Sequence, residues 1–462
     1  MEGLPQMKST LSISGNTFIA LLFSIIVLFP LCANASDKPV VEIVVRKGDT
    51  LTGICKKHLT DPHQWREIAH LNRIKNPDFI SPSQKLLFPV HLLKGTPIDG
   101  TVTFIKGNVT VQEEAGKEWR ALLLHNRIKQ GSVLRTEEEG TVEITFEDGA
   151  SFLLKPSTSL KMTTVEKKSS GYFLRELYLR SGKTISNLRE ATGKGSRFEI
   201  QTPSAIAATR GTTFRVSVDD SEATRSEVLN GTIGVEAMNQ TVAVNEGEGT
   251  FVRKGEPPLE PRKLLPPPAV IDVLPVYKSI PLYFHFEKVA DAVSYRVMFA
   301  KDSEGKDIIR EQAIIPGDSF AIYTAGDGTY FLQARSIDNL GLEGIPAEPA
   351  AIRIRLNPLP PLIEAPIDNA GYTVKSPLFR WLRVNDAVRY HVQIAEDKEF
   401  RKIVEAGTNI RDVEYKAAGL DFKSYYFRIS SIAKDNYQGD WSDVLRFTIV
   451  PPSPVPPDVQ KQ

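Results

Sequence analysis

Seven histidines, two cysteines and clustered carboxylates are the residues of this chain that could support catalysis, and their spacing limits what they can do. His58, His63, His70, His91, His125, His285 and His391 contain no His-Glu-x-x-His and no comparable metal-ligating interval. His63 and His70 flank Trp65 in one helical pattern, which is the arrangement of a solvated helix face. Cys55 sits in another short helical pattern with no histidine-bearing catalytic domain after it, which argues against a cysteine peptidase or transpeptidase. A buried, inert thiol fits that position better than a nucleophile. No Gly-x-Ser-x-Gly elbow or glycine-rich phosphate loop occurs. Glu137, Glu138 and Glu139 crowd a charged turn, where solvation accounts for them. These residues predict a non-enzymatic protein without metal or cofactor.

The elements that carry these residues belong to several globular domains, as expected for 462 residues with 24% charged residues. A formal net charge of +1 gives no support for nucleic acid as a partner. Residues 1–35 read as a signal peptide. Lys8 precedes an apolar run from Phe18 to Leu31, and Ala33-Asn34-Ala35 offers a cleavage site before Ser36. Ser24 and Pro30 interrupt the run, and Phe29-Pro30-Leu31 before Cys32 does not resemble a lipobox. The expectation is a periplasmic or otherwise exported product with no stable membrane span after cleavage. Only Cys55 then remains, so no intramolecular disulfide can form.

Residues 40–93 have the densest pattern. Ile43 and Val45 alternate in a short strand that ends at Gly48-Asp49. Leu51, Ile54, Cys55 and Leu59 follow at helical spacing, with Thr50 or Asp49 as N-cap. Asp61-Pro62-His63-Gln64 has the form of a capping box ahead of a second helix whose stripe is Trp65, Ile68, Ala69 and Leu71. Asn76 precedes Pro77 and is driven to an extended conformation, and Leu86 and Phe88 close a second strand.

This strand–helix–helix–strand order resembles the LysM domain, a small module that binds N-acetylglucosamine-containing polymers. The resemblance rests on Gly48-Asp49-Thr50-Leu51, Ile54, Trp65, Ile68, Leu71-Asn72, Ile74, Asn76-Pro77-Asp78, Ile80, Pro82, Gln84, Leu86 and Pro89. It implies a sugar groove between the loop after the first strand and the loop before the second. The contact residues would be Asp49, Thr50, Leu51, Asn76, Pro77, Asp78, Phe79 and Ile80. Such a groove would offer backbone amides to N-acetyl groups and an apolar floor at Ile80 or Phe79 to their methyls. The implied partner is peptidoglycan or a related N-acetylglucosamine polymer.

From Gly95 the helical period gives way to alternation. Val102 and Phe104 lead to Gly107-Asn108; Val142, Ile144 and Phe146 lead to Asp148-Gly149; Asn230-Gly231 separates Val228 from Ile233 and Val235. Asn-Gly and Asp-Gly between alternating apolar residues predict hairpins, and their frequency predicts an all-β domain over 98–256. The region resembles the FecR domain of the iron-dicitrate sensor family. Its matching residues include Gly131-Ser132-Val133-Leu134-Arg135-Thr136, Leu179-Arg180-Ser181-Gly182 and Ala208-Thr209-Arg210-Gly211-Thr212. Sensors of that family carry a cytoplasmic segment before a membrane span. Only about seventeen residues precede the apolar run here, too few for a folded domain. Turn geometry accounts for Asp148, Arg210 and Gly211 without a ligand.

Prolines over 257–270 form a semi-rigid linker. Beyond it the chain repeats. Asp291-Ala292-Val293-x-Tyr295-x-Val297 recurs as Asp386-Ala387-Val388-x-Tyr390-x-Val392, a shift of 387 − 292 = 95 residues. Phe284-x-Phe286 returns as Phe379-x-Trp381, and Gly344 as Gly439. The pattern predicts two β-sandwich repeats, 271–356 and 362–450, which resemble fibronectin type III domains and end in a Pro-rich tail over 451–462. Trp381, Tyr390, Tyr425 and Phe427 are their expected core.

The expected whole is multidomain and mainly β: a small βααβ LysM domain, an all-β FecR-like domain and two β-sandwich repeats. Its expected role is peptidoglycan binding in the cell envelope, with the β domains presented to an unknown envelope protein. The alternatives are a peptidoglycan-processing enzyme with an unrecognised site and a membrane-anchored signalling protein.

Overall fold

The computed structural model describes residues 39–114, 116–188, 195–209 and 211–452. The expected signal peptide, with Cys32, lies outside them, as does the expected tail beyond Pro452.

Strand β1 (Val40–Val44) pairs antiparallel with β2 (Lys85–Pro89), placing Val41 opposite Phe88 and Ile43 opposite Leu86. Between them lie α1 (Leu51–His58) and α2 (Trp65–Leu71). Thr50, rather than Asp49, caps α1, its Oγ1 accepting from Gly53 N–H at 3.1 Å. The predicted capping box becomes a 3₁₀ turn over Pro62–Gln64, because Gln64 N–H reaches back only to the Asp61 carbonyl. Asp61 still caps it, through Oδ1 to His63 N–H at 2.9 Å. Leu51, Ile54, Cys55, Leu59, Ile68 and Phe88 form the core. Leu71 departs from the expected stripe and is 40% exposed.

The next region closes on itself as a barrel of antiparallel strands with one parallel pairing. The strand Phe173–Asn187 serves both of its sheets. Its first half pairs with Ser159–Lys168 and, in parallel, with Ser196–Gln201; its second half pairs with Ser151–Leu154 and Thr213–Val218. Gly182 marks the change of sheet. Its φ is +89°, and a Cβ there would lie 2.5 Å from Thr158 Cα.

Only one of the three turn dipeptides makes a hairpin. Asp148-Gly149 joins the paired strands Thr141–Thr145 and Ser151–Leu154. Gly107-Asn108 and Asn230-Gly231 instead carry the chain from one sheet to the other: Thr224–Asn230 pairs with Thr213–Val218, whereas Thr232–Ala237 pairs with Gln240–Asn245. Gly107 and Gly231 have φ of +65° and +87°. The dipeptide therefore reports the backbone angle that a reversal or a corner needs, and not the partner that the next strand will take.

Two β-sandwiches follow, each a three-stranded sheet against a larger one. The 95-residue shift holds bond by bond. Tyr295 Oη accepts from Val289 N–H at 2.9 Å, and Tyr390 Oη accepts from Val384 N–H at 3.0 Å. The Asp302 carboxylate accepts from Lys306 and Asp307 N–H groups, as Asp397 does from Arg401 and Lys402. Trp381, Tyr390, Tyr425 and Phe427 are buried as expected.

The units are joined in three ways. Tyr172 and Leu174, on the barrel hairpin, are part of the first unit's core. Beside them, Ser169 N–H donates to the Lys94 carbonyl at 2.8 Å and Ser169 Oγ to the His58 carbonyl at 3.0 Å. The proline-rich stretch after the barrel is held rather than free. Arg262–Lys263 pairs with Glu248–Gly249, the Leu265 carbonyl accepts from Ile345 N–H at 3.1 Å, and the Pro266 carbonyl accepts from Ser336 Oγ at 2.6 Å. Buried Glu343 joins the first sandwich to Lys183 and Arg215 of the barrel, whereas Arg355–Asp435 and Lys278–Asp440 link the two sandwiches nearer solvent.

Candidate functional site

The loop after β1 and the loop before β2 are neighbours because the two strands extend past their ends. Val45 N–H donates to the Gln84 carbonyl and Ser83 N–H to the Val45 carbonyl, both at 2.8 Å. In the first loop Asp49 Oδ2 accepts from Arg46 N–H at 2.7 Å, and Asp49 N–H donates to the Arg46 carbonyl at 3.1 Å. Gly48, at φ +87°, makes this tight reversal possible. In the second loop Asn76 Oδ1 accepts from Asp78 N–H, and the Asn76 carbonyl accepts from Phe79 N–H, each at 3.1 Å. Pro77 in between presets the turn. Gln84 Oε1 accepts from Ser81 N–H at 3.0 Å and ties the loop to β2.

The sequence-derived contact residues divide by exposure. Asp49, Thr50, Asn76, Asp78 and Phe79 are exposed, and Phe79 at 81% has an almost free aromatic face. Pro77 and Ile80 are half-buried, with Ile80 packed on the core. Leu51 is 1% exposed, so its side chain belongs to the core. The Thr50 hydroxyl is engaged by the α1 cap. The two loops thus carry polar turn groups, one free aromatic ring and one half-buried apolar residue at adjoining strand ends.

Asn72, part of the LysM resemblance but given no contact by the sequence, fixes the end of the second helix. Its Nδ2 donates to the Ile68 and Leu87 carbonyls at 2.8 Å each, and its Oδ1 accepts from Leu87 N–H at 2.6 Å. It pins the end of α2 to β2 and so fixes where the second loop begins. An asparagine just past a helical stripe is the sequence signal that could have shown this. Cys55 is fully buried, and burial pushes its thiol up to about 11, consistent with an inert side chain. His63 and His70 are exposed.

In the barrel, Asp148 Oδ1 accepts from Arg175 Nη2 at 2.7 Å. Arg175 is 1% exposed and lies over the rings of Phe146 and Phe173, a structural cation that no motif marked. Gly211 closes against the Gly231 corner, and Arg210 lies outside the described residues. Among the described residues no group of three histidine, cysteine or carboxylate side chains could hold a metal ion, and no helix is long and apolar enough to cross a membrane.

Comparison with known proteins finds matches within two of these units. Residues 43–89 match the family model of the LysM domain, and residues 132–234 match that of the FecR protein. A curated relative, an uncharacterized protein of Deinococcus radiodurans, is 44% identical over 45 residues, 10% of this chain and 18% of its own length. The chain therefore spans under a fifth of that relative. Among solved structures, a suspected anti-sigma factor of Parabacteroides distasonis overlaps 28% of this chain and 59% of its own, at 19% identity and a TM-score of 0.24. Fibronectin(III)-like modules of Clostridium thermocellum CbhA overlap 40% of this chain and 94% of their own, at 13% identity and a TM-score of 0.21. At these scores neither likeness carries weight, and the architecture rests on the strand pairings. The chain contains a LysM domain and a FecR domain, followed by two β-sandwiches.

Proposed function

We propose that this is an exported, non-enzymatic protein of the cell envelope that binds peptidoglycan through the groove between its two LysM loops. The observation that carries the reading is the pairing of Val45 with Ser83 and Gln84. It puts the loop that carries Asp49 and Thr50 and the loop that carries Asn76–Ile80 at adjoining strand ends, within the segment that matches the LysM domain. Backbone amides of the two turns would meet the acetamido group, Ile80 would floor its methyl, and Phe79 would cover the ring. One shallow groove binds weakly, so retention needs longer glycan or a second contact. The FecR barrel and the two sandwiches, which we read as fibronectin type III-like and bounded at 271–356 and 362–450, would supply that contact to an envelope protein.

The test is cosedimentation of the full chain with purified sacculi. The expected result is that chitooligosaccharide releases it and salt does not; release by salt alone overturns the groove assignment. Muropeptides appearing during the incubation would favour a processing enzyme instead. The FecR match also favours a second reading, a membrane-anchored signalling protein. Sequencing the mature N-terminus separates the two, because Ser36 as first residue removes the anchor.

A further inference from the structure

The charges between the barrel and the first sandwich, all buried or half-buried, do not balance. Glu343, 3% exposed, is approached by four cations: Lys183, Arg296 at 3.1 Å, Arg335 at 3.6 Å and Arg215 at 4.0 Å. Arg215 also faces Glu227 at 3.4 Å, and Glu311 holds Lys155 at 3.2 Å and Arg335 at 3.0 Å. Among the described residues this connected network sets Lys155, Lys183, Arg215, Arg296 and Arg335 against Glu227, Glu311 and Glu343; each cation touches a carboxylate, and five minus three leaves a formal surplus of two positive charges. Uncompensated charge away from bulk water is strongly unfavourable. Burial, reinforced by the neighbouring cations, pushes the Lys155 and Lys183 ammonium groups below their usual range.

The sandwich fold does not require these charges. At the 95-residue shift, Arg296, Glu311, Arg335 and Glu343 become His391, Ala406, Ser430 and Gln438 in the second repeat, which keeps the same strands. Three of the network's cations, Lys155, Lys183 and Arg296, line a cleft of about 960 Å³ between the barrel and the sandwich. Of the acids on its wall, Glu311 and Glu343 belong to the network and the others are solvated or paired elsewhere. Glu138, Glu139 and Asp220 are exposed, and Asp219 pairs with Arg225 at 2.7 Å.

We propose that this cleft binds a polyvalent oxyanion, a phosphate or polycarboxylate group, through Lys155, Lys183 and Arg296. The ligand supplies the two missing negative charges and completes the junction between the barrel and the first sandwich. Charge-assisted hydrogen bonds in a partly desolvated cleft favour such a group over chloride.

The test is calorimetric titration of the full chain with inorganic phosphate, with chloride at matched ionic strength as baseline, alongside thermal unfolding. One saturable site and a raised unfolding midpoint are expected. Arg296→Gln should weaken binding by roughly tenfold, the loss of one charge-assisted contact. Glu311→Gln, which enlarges the positive surplus, should tighten it, so the two variants move in opposite directions even if either is less stable. Lys278→Gln, at the other junction, should leave binding unchanged. Absence of a site distinct from chloride, or an Arg296→Gln variant that binds phosphate like the native chain, would overturn the proposal. Short-chain polyphosphate in place of phosphate assigns the source: tighter binding points to the group on a polymer, and exclusion points to the free ion, with the site retained in both cases.

Discussion

Phe79 and Cys55 are opposite cases within one small domain. Phe79 contributes almost nothing to the core, so Phe79→Ala should leave stability within about 0.5 kcal/mol of the native chain. If the ring covers a sugar, sacculus binding should weaken by roughly 1 kcal/mol, or about fivefold. Equal binding in cosedimentation would remove Phe79 from the groove. Cys55 is held as the neutral thiol, its folded value near 11 standing above an ordinary 9.0. A raised thiol value means that the native state keeps a proton that the unfolded chain releases. The stabilisation is therefore complete below pH 9 and is lost as pH rises from 9 to 11. Unfolding midpoints measured across that window should fall more steeply for the native chain than for Cys55→Ala. Parallel slopes would contradict the burial argument.

Among the elements, what repeats or alternates was legible and what bridges was not. The Tyr295 and Tyr390 hydroxyl bonds and the Asp302 and Asp397 turns reproduce the 95-residue shift because each is made within one repeat, at fixed local separation. The turns at Gly48-Asp49 and Asn76-Pro77 were legible for the same reason, each closing on its own residues. Asn72 was not, because its partner Leu87 lies on a strand beyond the second loop. Asn230-Gly231 misled because a corner between sheets and a hairpin ask for the same left-handed glycine. Glu343 gave no signal at all, since its partners Lys183 and Arg215 come from a different unit. The bend in Phe173–Asn187 yields a sharp expectation. Gly182→Ala would force a Cβ into the Thr158 backbone at a positive φ, and should destabilise the chain by about 2 kcal/mol or more in denaturant unfolding. A near-neutral result would mean the strand does not turn between sheets there.

For the whole molecule, the three junctions predict unequal stiffness. The LysM core borrows Tyr172 and Leu174 from the barrel, and the barrel shares a largely desolvated charge network with the first sandwich. The two sandwiches meet instead through exposed pairs such as Lys278–Asp440, which are weak and screened by salt. Spin labels on cysteines introduced at Met238, Ile315 and Ile367, all exposed, can be read against a native thiol that is buried. A narrow distance distribution is expected between the first two labels, and a broad, salt-sensitive one from Met238 to Ile367. Two distributions of equal width would refute this division.

Each sandwich also grips the chain that leads into it. Gly344 lies so near the Leu265 carbonyl, and Gly439 so near the Pro358 carbonyl, that a Cβ at either would stand 2.3 or 2.2 Å from that oxygen. Entry segment and sandwich therefore travel as one cassette. Gene duplication could copy such a cassette whole, whereas loss of the first one would uncover Arg215 on the barrel and strip it of its Glu343 partner.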